Sequence, residues 1–426
     1  MFLDNRTIQE DRLTMVQTRF EEFEELSGSP KEEPVSFRDL VSEIPSTTYA
    51  SHGMYYYPAK FIPQVVRWAI EKYTSPGDWI IDPFAGSGTV CVEAQITNRN
   101  SVNLDLNPML EHLVAAKTFR DSSWEEILSI GKRIIESQKS YTPRWTRIRY
   151  WHPKEFLAIL GRMWGGYYKN PHPLVLIALL KTTKRFSYAD DTVPKLFKSK
   201  SKVLEVKRIL ATEYQTAIKD FFSAALKEVY ESSVSFKKYY EGGESIVKGG
   251  VDLLKHQFDH RQYRLLITSP PYGIAHEYIR SVKLELAWLG YSDRQITELI
   301  NSEIPYNRNP PRIKIDSEAF RAAFAKIKPH VVQYCDTYFR SVLAVLEKVM
   351  AKLEPSGVAA IFVGNATFSG VEFPFHQIFR EHFESIGYTC ERLLVDKIKG
   401  RRLFKGRQNP SPNGIVSERL LVLRKQ

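Results

Sequence analysis

Residues 267–273, ITSPPYG, bring a serine, two prolines and a tyrosine together directly after a short apolar run. The prolines Pro270 and Pro271 have a fixed φ and no N–H, so their backbone can present a carbonyl oxygen without a competing donor. Ser269 adds a side-chain oxygen beside them, and Tyr272 adds an aromatic face on which an extruded base could stack. This combination predicts a loop that binds the amine of a nucleobase.

Such a loop could promote the methylation of an exocyclic amine. The amine is a weak nucleophile because its lone pair is delocalised into the ring, and acceptors for its two hydrogens favour the pyramidal geometry needed for attack. Taken alone, the same residues also fit a Pro-Pro turn that ends a strand. The choice between the two interpretations depends on what lies beside the loop.

The second candidate is DPFAGSGT, residues 82–89. Gly86 and Gly88 allow the backbone to turn tightly and to approach a ligand closely. No lysine stands at the start of the following helix, so the loop is not a phosphate-binding P-loop. Asp105 ends the next predicted strand, where a carboxylate can accept hydrogen bonds from ribose hydroxyls. These residues predict a nucleoside cofactor other than ATP, and a glycine turn without a ligand is the alternative.

The elements around both loops predict how they meet. Residues 79–81 form an apolar strand before the glycine loop, a helix follows over 90–97, and a second strand covers 101–106. Strand, glycine turn, helix and strand begin a doubly wound parallel sheet. Residues 264–267 predict the strand that precedes TSPPY. Both loops would then lie at the carboxyl ends of strands, around the crevice where open α/β sheets bind ligands.

The alternation of strands and helices stops near residue 110 and resumes near residue 245. We predict four regions: an N-terminal helix and arm (1–50), the first part of the sheet domain (51–110), a helical insertion (111–245) and the second part (246–426). Apolar residues at helical spacing between Val206 and Val229 predict one long helix in the insertion. The insertion is a candidate for nucleic-acid recognition, and a solvated helical insertion is the alternative.

Composition bears on partners and compartment. The chain has 426 residues, 60 Lys and Arg against 49 Asp and Glu, and a net charge of +11. A basic chain of this kind is either simply soluble or binds a polyanion such as a nucleic acid. Three cysteines without metal spacing predict neither a disulfide framework nor a metal site. The N-terminal residues and the lack of a long apolar run predict a cytoplasmic protein with no membrane partner.

DPFAGSGT followed by TSPPY resembles the S-adenosylmethionine-dependent amino-methyltransferases of DNA, particularly those that form N4-methylcytosine. The resemblance implies a Rossmann-like, mostly parallel sheet with an antiparallel last strand, and it extends over residues 50–110 and 245–426. It implies a catalytic loop of Ser269, Pro270, Pro271 and Tyr272. The residues that it implies around the cofactor are Lys60, Phe61, Asp82, Phe84, Gly86, Gly88, Thr89, Asp105 and, displaced from the usual pattern, Asp252.

The resemblance also implies a substrate and a role. Ser269 stands where adenine-N6 enzymes generally carry aspartate, which favours cytosine N4 in double-stranded DNA. Such enzymes commonly protect host DNA in prokaryotes, with a restriction endonuclease as functional partner. An adenine-N6 enzyme, an RNA or tRNA amino-methyltransferase and a non-catalytic nucleic-acid-binding module are the alternatives. Candidate DNA contacts are Arg401, Arg402 and Arg407 in the loop KIKGRRLFKGR, and a solvated loop without DNA contacts is the alternative there. Arg308 and Arg312 are two further candidate DNA contacts.

Overall fold

The computed structural model describes residues 31–58, 60–191, 195–273, 278–306, 309–397 and 417–426. Within these residues the strands are Glu32–Pro34 (β1), Trp79–Asp82 (β2), Asn100–Leu104 (β3), Ser245–Lys248 (β4), Tyr263–Thr268 (β5), Leu353–Gly364 (β6), Ala366–Phe368 (β7), Val371–Phe373 (β8), Tyr388–Lys397 (β9) and Ser417–Lys425 (β10). The helices are Pro63–Tyr73 (α1), Thr89–Ile96 (α2), Met109–Lys117 (α3), Trp124–Ile135 (α4), Ile148–Trp151 (α5), Lys154–Tyr167 (α6), Pro173–Arg185 (α7), Lys200–Leu210 (α8), Tyr214–Tyr239 (α9), Tyr278–Ser281 (α10), Lys283–Trp288 (α11), Asp293–Ser302 (α12), Glu318–Phe324 (α13), Pro329–Met350 (α14) and Phe375–Glu384 (α15).

The main sheet is mostly parallel, as predicted. Its strand order is β1-β9-β10-β6-β5-β2-β3-β4, and β7 pairs with β8 in a separate hairpin. β2 pairs in parallel with both β3 and β5, and β5 pairs in parallel with β6. Only the last strand, β10, runs antiparallel to its two neighbours β6 and β9. The prediction of a doubly wound sheet with an antiparallel last strand is confirmed.

The strand order reverses between β2 and β5, and this reversal positions the two loops. From β2 the chain continues outward to β3 and β4, whereas β5 starts the other half of the sheet. DPFAGSGT follows β2 and TSPPY follows β5, so both emerge at the same edge from adjacent strands. Ligands of open α/β sheets bind at such a switch point.

The predicted strands form because their apolar side chains are buried by helices on both faces of the sheet. Ile80, Ile81, Leu265 and Leu266 are fully buried, as expected for central parallel strands. The short edge strand β1, which pairs with β9, was not predicted because its residues, Glu-Glu-Pro, have low strand propensity. The predicted N-terminal helix falls on residues 1–30, outside the described residues.

Helices α3 to α9 lie between β3 and β4, where the sequence predicts a helical insertion. The expected single long helix is two helices, α8 and α9, separated at residues 211–213. The prediction of one helix was wrong because apolar spacing persists across the break. The core of the insertion includes buried Tyr55 and Tyr57 from one side and residues of α10 and α11 from the other. The insertion thus packs directly on the segments that flank the two loops. Within the described ranges, no helix is both long and apolar enough to cross a membrane.

Candidate active site

One cleft lies at the carboxyl edge of β2, β3 and β5, and both predicted loops contribute to it. The residues that line it are Tyr57, Phe84, Gly86, Asp105, Leu106, Asn107, Val251, Asp252, Leu253, Leu254, Ser269, Pro271, Tyr272, Tyr278, Ile279, Ser302, Glu303, Ile304 and Tyr306. Residues more than 160 positions apart along the chain, such as Gly86 and Ser269, therefore face one space.

The DPFAGSGT loop exposes two of its residues to this cleft. Phe84 and Gly86 are partly exposed and line it, whereas the remaining residues from Asp82 to Thr89 are buried. Gly86 has a φ of +52°, a backbone conformation that favours glycine. A β-carbon at this position would lie 3.4 Å from Cε1 of Tyr57. Gly86 thus lets the backbone form part of the cleft wall.

Gly88 has a different role from the predicted ligand contact. Its φ is +78°, and a β-carbon would lie 2.3 Å from Cγ2 of Val114, in the helix that packs behind the loop. Gly88 does not line the cleft, and neither does Thr89, the first residue of α2. Close packing on α3 explains the second glycine, so a substitution there would disturb folding before it affected a ligand.

Asp82 does not line the cleft. Its carboxyl group links the two loops through hydrogen bonds. Its Oδ1 accepts hydrogen bonds from Oγ1 of Thr268, at 2.6 Å, and from the amide of Phe84, at 3.1 Å. Thr268 is the last residue of β5 and directly precedes Ser269. The carboxyl group is buried, and this burial raises its pKa to about 7. Asp82 therefore fixes the spacing between the DPFAGSGT loop and the TSPPY loop.

Asp105 lines the cleft beside the glycine loop. Its two carboxylate oxygens accept from the amides of Gly86, at 2.8 Å, and Asn107, at 2.7 Å. Burial raises the pKa of Asp105 to about 6, against the effect of these two hydrogen bonds, which lower it. The amide of Gly86 thus donates to a carboxylate of the protein itself. It therefore does not serve as an anion-binding amide. Each oxygen keeps a further acceptor position for a ligand.

Asp252 lies across the cleft from this loop, four residues beyond the end of β4. Its carboxylate forms an ion pair with exposed Lys255, 2.6 Å away, and accepts from the amide of Leu254 at 3.2 Å. Among the described lining residues, Asp105, Asp252 and Glu303 are acidic and none is lysine or arginine. The cleft therefore suits a neutral or cationic ligand better than a phosphate.

The segment before α1 contributes Tyr57 to the cleft, in place of the predicted Lys60 and Phe61. Phe61 is buried and packs against Phe362 of β6, with ring centroids 5.1 Å apart. Nζ of Lys60 donates to the carbonyl of His52 at 2.6 Å, and burial lowers its pKa to about 8. Neither residue lines the cleft. Both shape the segment that carries Tyr57, whose hydroxyl accepts from Nδ2 of Asn107 at 3.1 Å.

A buried polar network holds that segment against α2, the helix that follows the DPFAGSGT loop. Glu93, on α2, is fully buried. Its Oε1 bonds to Nε2 of His52, at 2.6 Å, and to the hydroxyl of Tyr49, while its Oε2 accepts from Nε of Arg67 at 2.9 Å. Buried charge is tolerated when it is paired in this way. The network sets the position of Tyr57 relative to Gly86.

The TSPPY loop lies on the opposite wall. Ser269, Pro271 and Tyr272 are partly exposed and line the cleft, whereas Pro270 is buried. The carbonyl of Pro271 accepts a 2.7 Å hydrogen bond from the hydroxyl of buried Tyr338 on α14. Among the described residues no donor reaches the carbonyl of Pro270. The side chain of Ser269 lines the cleft, and the carbonyl of Pro270 is not engaged as that of Pro271 is.

An aromatic cluster supports the loop from behind. A β-carbon on Gly273 would lie 2.6 Å from Phe375 and 2.8 Å from Phe368. The rings of Phe368 and Phe375 stack, and Tyr338 packs on both of them. Close packing on rigid rings restricts the loop to one conformation, as a preformed site requires.

Many of the cleft residues were not predicted from the sequence, and three of them carry polar groups contributed by the region after TSPPY. Tyr278, Glu303 and Tyr306 come from α10 and from the turn that follows α12. The Tyr278 hydroxyl forms a hydrogen bond with the backbone of Tyr272, and Oε1 of Glu303 accepts from the amide of Ile279 at 3.0 Å. No motif marks these positions, because the folding of the chain after TSPPY brings them to the cleft.

One of the five predicted DNA-contacting arginines, Arg312, is among the described residues. Arg308, Arg401, Arg402 and Arg407 lie outside the described residues. Arg312 is described and exposed, which is compatible with contact to a phosphate. These assignments remain predictions.

Comparison with known proteins identifies the relatives of this chain. A family model described as DNA methylase, N6_N4_Mtase, matches residues 9–117, which include DPFAGSGT and Asp105. The type II methyltransferase M.BsoBI of Geobacillus stearothermophilus is 24% identical over 376 residues, covering 80% of this chain and 74% of that protein. M.AvaI of Nostoc sp. is 19% identical over 405 residues, covering 84% of this chain and 83% of that protein.

Higher identity occurs locally. The type II methyltransferase M.MjaII of Methanocaldococcus jannaschii is 40% identical over 87 residues, which cover 20% of this chain and 16% of that protein. Among solved structures, the rRNA methyltransferase aviRa of Streptomyces viridochromogenes aligns over 92% of this chain and 96% of that chain. Its sequence identity is 9% and its TM-score is 0.33, which is too low to bear on function.

Proposed function

We propose that this chain, which matches the N6_N4_Mtase DNA methylase model over residues 9–117 and is similar to type II methyltransferases, methylates the exocyclic amine of cytosine, N4, in double-stranded DNA. One observation carries this proposal: Gly86 and Asp105 share a single cleft with Ser269 and Tyr272. Direct methyl transfer requires the donor and the acceptor amine to be held within contact distance. A cleft with a nucleoside-binding wall and an amine-binding wall meets that requirement.

The family implies S-adenosylmethionine as methyl donor, and the cleft fits it. When bound, this cofactor supplies an electrophilic methyl group on a positively charged sulfonium. Asp105 would accept hydrogen bonds from the ribose hydroxyls, Gly86 would allow close approach of the ligand, and Asp252 would meet the adenine. Three carboxylates without a lysine or arginine among the described lining residues favour a cation over a nucleotide phosphate.

The catalytic loop would hold the target amine. Oγ of Ser269 and the carbonyl of Pro270 would accept the two amine hydrogens, because the carbonyl of Pro271 is engaged by Tyr338. This arrangement favours the pyramidal nitrogen that attacks the methyl group. Tyr272 would stack on the extruded base. The ammonium formed by the transfer is acidic and loses its proton to water or to the loop, so no dedicated general base is required.

The pKa of Asp105 predicts how cofactor binding depends on pH. Burial raises this pKa to about 6, and only the ionised carboxylate can accept from both ribose hydroxyls. The affinity for S-adenosylmethionine is therefore expected to fall about tenfold for each pH unit below roughly 6. Calorimetric titration across this range measures the effect.

Two variants make this test specific. Asp105→Asn should bind the cofactor weakly and without the acidic fall in affinity. Asp82→Asn removes a buried carboxyl that does not line the cleft, so the fall should persist in that variant. An unchanged pH profile in Asp105→Asn would show that Asp105 is not the titrating ligand.

Methyl transfer tests the proposed reaction itself. Incorporation of label from S-adenosylmethionine should occur into duplex DNA that contains a cognate sequence, and not into transfer RNA or ribosomal RNA. Label in RNA alone would favour the RNA methyltransferase alternative. Protection of host DNA beside a restriction endonuclease is the biological role that the type II relatives support.

A further inference from the structure

A short arginine-rich segment of the insertion displays its charges on the surface. We call residues 144–150, RWTRIRY, the arginine segment. Trp145 and Ile148 are both 5% exposed and anchor it in the core of the insertion. Arg144, Arg147 and Arg149 are exposed. The two buried anchors thus hold three guanidinium groups outward within six residues.

The three guanidinium groups are not neutralised by the protein. Among the described residues, none of the three forms an ion pair with a carboxylate. Some cations of the insertion are paired, such as Lys181 with Glu228 and Arg185 with Glu205. Clustered unpaired charges repel one another in the free protein and are suited to bind a polyanion.

Aromatic side chains lie beside these charges. Nζ of Lys198 is 3.9 Å from the ring centroid of Tyr188 and 4.6 Å from that of Tyr150, the last residue of the arginine segment. The rings of Tyr150 and Phe197 are 56% and 55% exposed. Basic groups interleaved with exposed rings are typical of nucleic-acid-binding surfaces.

The arginine segment is connected to the cleft by α12. The amide and the hydroxyl of Thr146 both donate to the carboxylate of Asp293, at 2.9 Å each. Asp293 begins α12, and Ser302 at the end of that helix lines the cleft. Nine steps of 1.5 Å give a separation of about 14 Å. That length corresponds to about four base pairs of duplex DNA.

We propose that the arginine segment binds the phosphates of duplex DNA beside the target base. The proposal rests on the proposed function, since it takes the cleft as the site of the extruded base. Arg144, Arg147 and Arg149 contact the phosphate backbone near that base. The segment thereby sets the position of the duplex on the enzyme.

Equilibrium binding at several salt concentrations tests this proposal. The variant Arg144→Gln/Arg147→Gln/Arg149→Gln should bind duplex DNA more weakly. Its slope of log affinity against log salt should be smaller by about 0.9 for each lost contact. The matched control is Lys227→Gln/Lys237→Gln/Lys238→Gln on α9, which removes the same charge from exposed positions. The control should retain the wild-type slope.

The outcomes separate this proposal from the proposed function. An unaltered slope in the arginine variant, or an equal change in the control, would overturn the DNA-binding role of the segment. A smaller slope with RNA but not with duplex DNA would overturn it as well. Wild-type protein that methylates no DNA would instead contradict the proposed function. Calorimetry with S-adenosylmethionine should give the wild-type affinity for both variants.

Discussion

Replacing Ser269 by alanine is expected to slow methyl transfer by about 10²–10³-fold, the usual effect of losing one hydrogen-bonding group that acts in the transition state. The hydroxyl of Ser269 would accept an amine hydrogen only as the nitrogen becomes pyramidal. Binding of the cofactor and of DNA should therefore change little. Single-turnover kinetics with saturating cofactor and DNA measures the chemical step directly.

Ser302→Ala provides the matched control, because Ser302 also lines the cleft. Its hydroxyl donates to the carbonyl of Glu298 within α12, at 3.0 Å, so its loss should leave the chemical step nearly unchanged. Equal rates for Ser269→Ala and the wild type would remove Ser269 from the mechanism. If Ser269→Ala lowered only the affinity for DNA, Ser269 would be a DNA-binding residue and not a catalytic one.

Replacing Tyr272 by alanine is expected to reduce methylation by about 5- to 150-fold, because stacking on a base is worth roughly 1–3 kcal/mol. Tyr272 lines the cleft beside Ser269, where its ring can support the extruded base. The loss should appear in the single-turnover rate and in binding of DNA that carries an unpaired target base. Binding of S-adenosylmethionine should be unaffected.

Tyr272→Phe separates the ring from its hydroxyl. It keeps the aromatic face and should retain most of the activity. If the phenylalanine variant were as slow as the alanine variant, the hydroxyl would be the essential group and the stacking role would be wrong. Since the hydroxyl of Tyr278 bonds to the backbone of Tyr272, neither variant removes that hydrogen bond.

The central sheet and its two loops were predictable because their signals are local. Buried runs such as Trp79-Ile80-Ile81 end directly in glycine or proline, and those residues mark the carboxyl ends of parallel strands. Topology then requires the loops after adjacent strands at a switch point to face each other. The shared cleft of Gly86 and Ser269 follows from these local patterns alone.

Other features depend on contacts between distant residues. The need for glycine at position 88 arises from Val114, and the orientation of the TSPPY loop depends on Tyr338. Glu303 lies at the cleft because α12 ends there. None of these partners is signalled by spacing in the sequence. Lys60 and Phe61 were assigned by resemblance, and in the structure it is Tyr57 of the same segment that lines the cleft.

The cysteines limit the alternative chemistry on cytosine. Methylation at C5 requires a thiolate that attacks the ring. Cys91 and Cys335 are buried, Cys390 is partly exposed on β9, and none of the three lines the cleft. Burial also raises the pKa of each thiol, to about 11 for Cys91 and about 12 for the other two. The position of the three cysteines thus favours the proposed methylation of an amine over methylation of a ring carbon.

Identification of the methylated nucleoside tests this account most directly. Duplex DNA methylated by the protein is digested to nucleosides, which are separated and identified by mass spectrometry. We expect N4-methylcytosine. N6-methyladenine would retain amine methylation but show that Ser269 does not select cytosine, whereas 5-methylcytosine would contradict the mechanism.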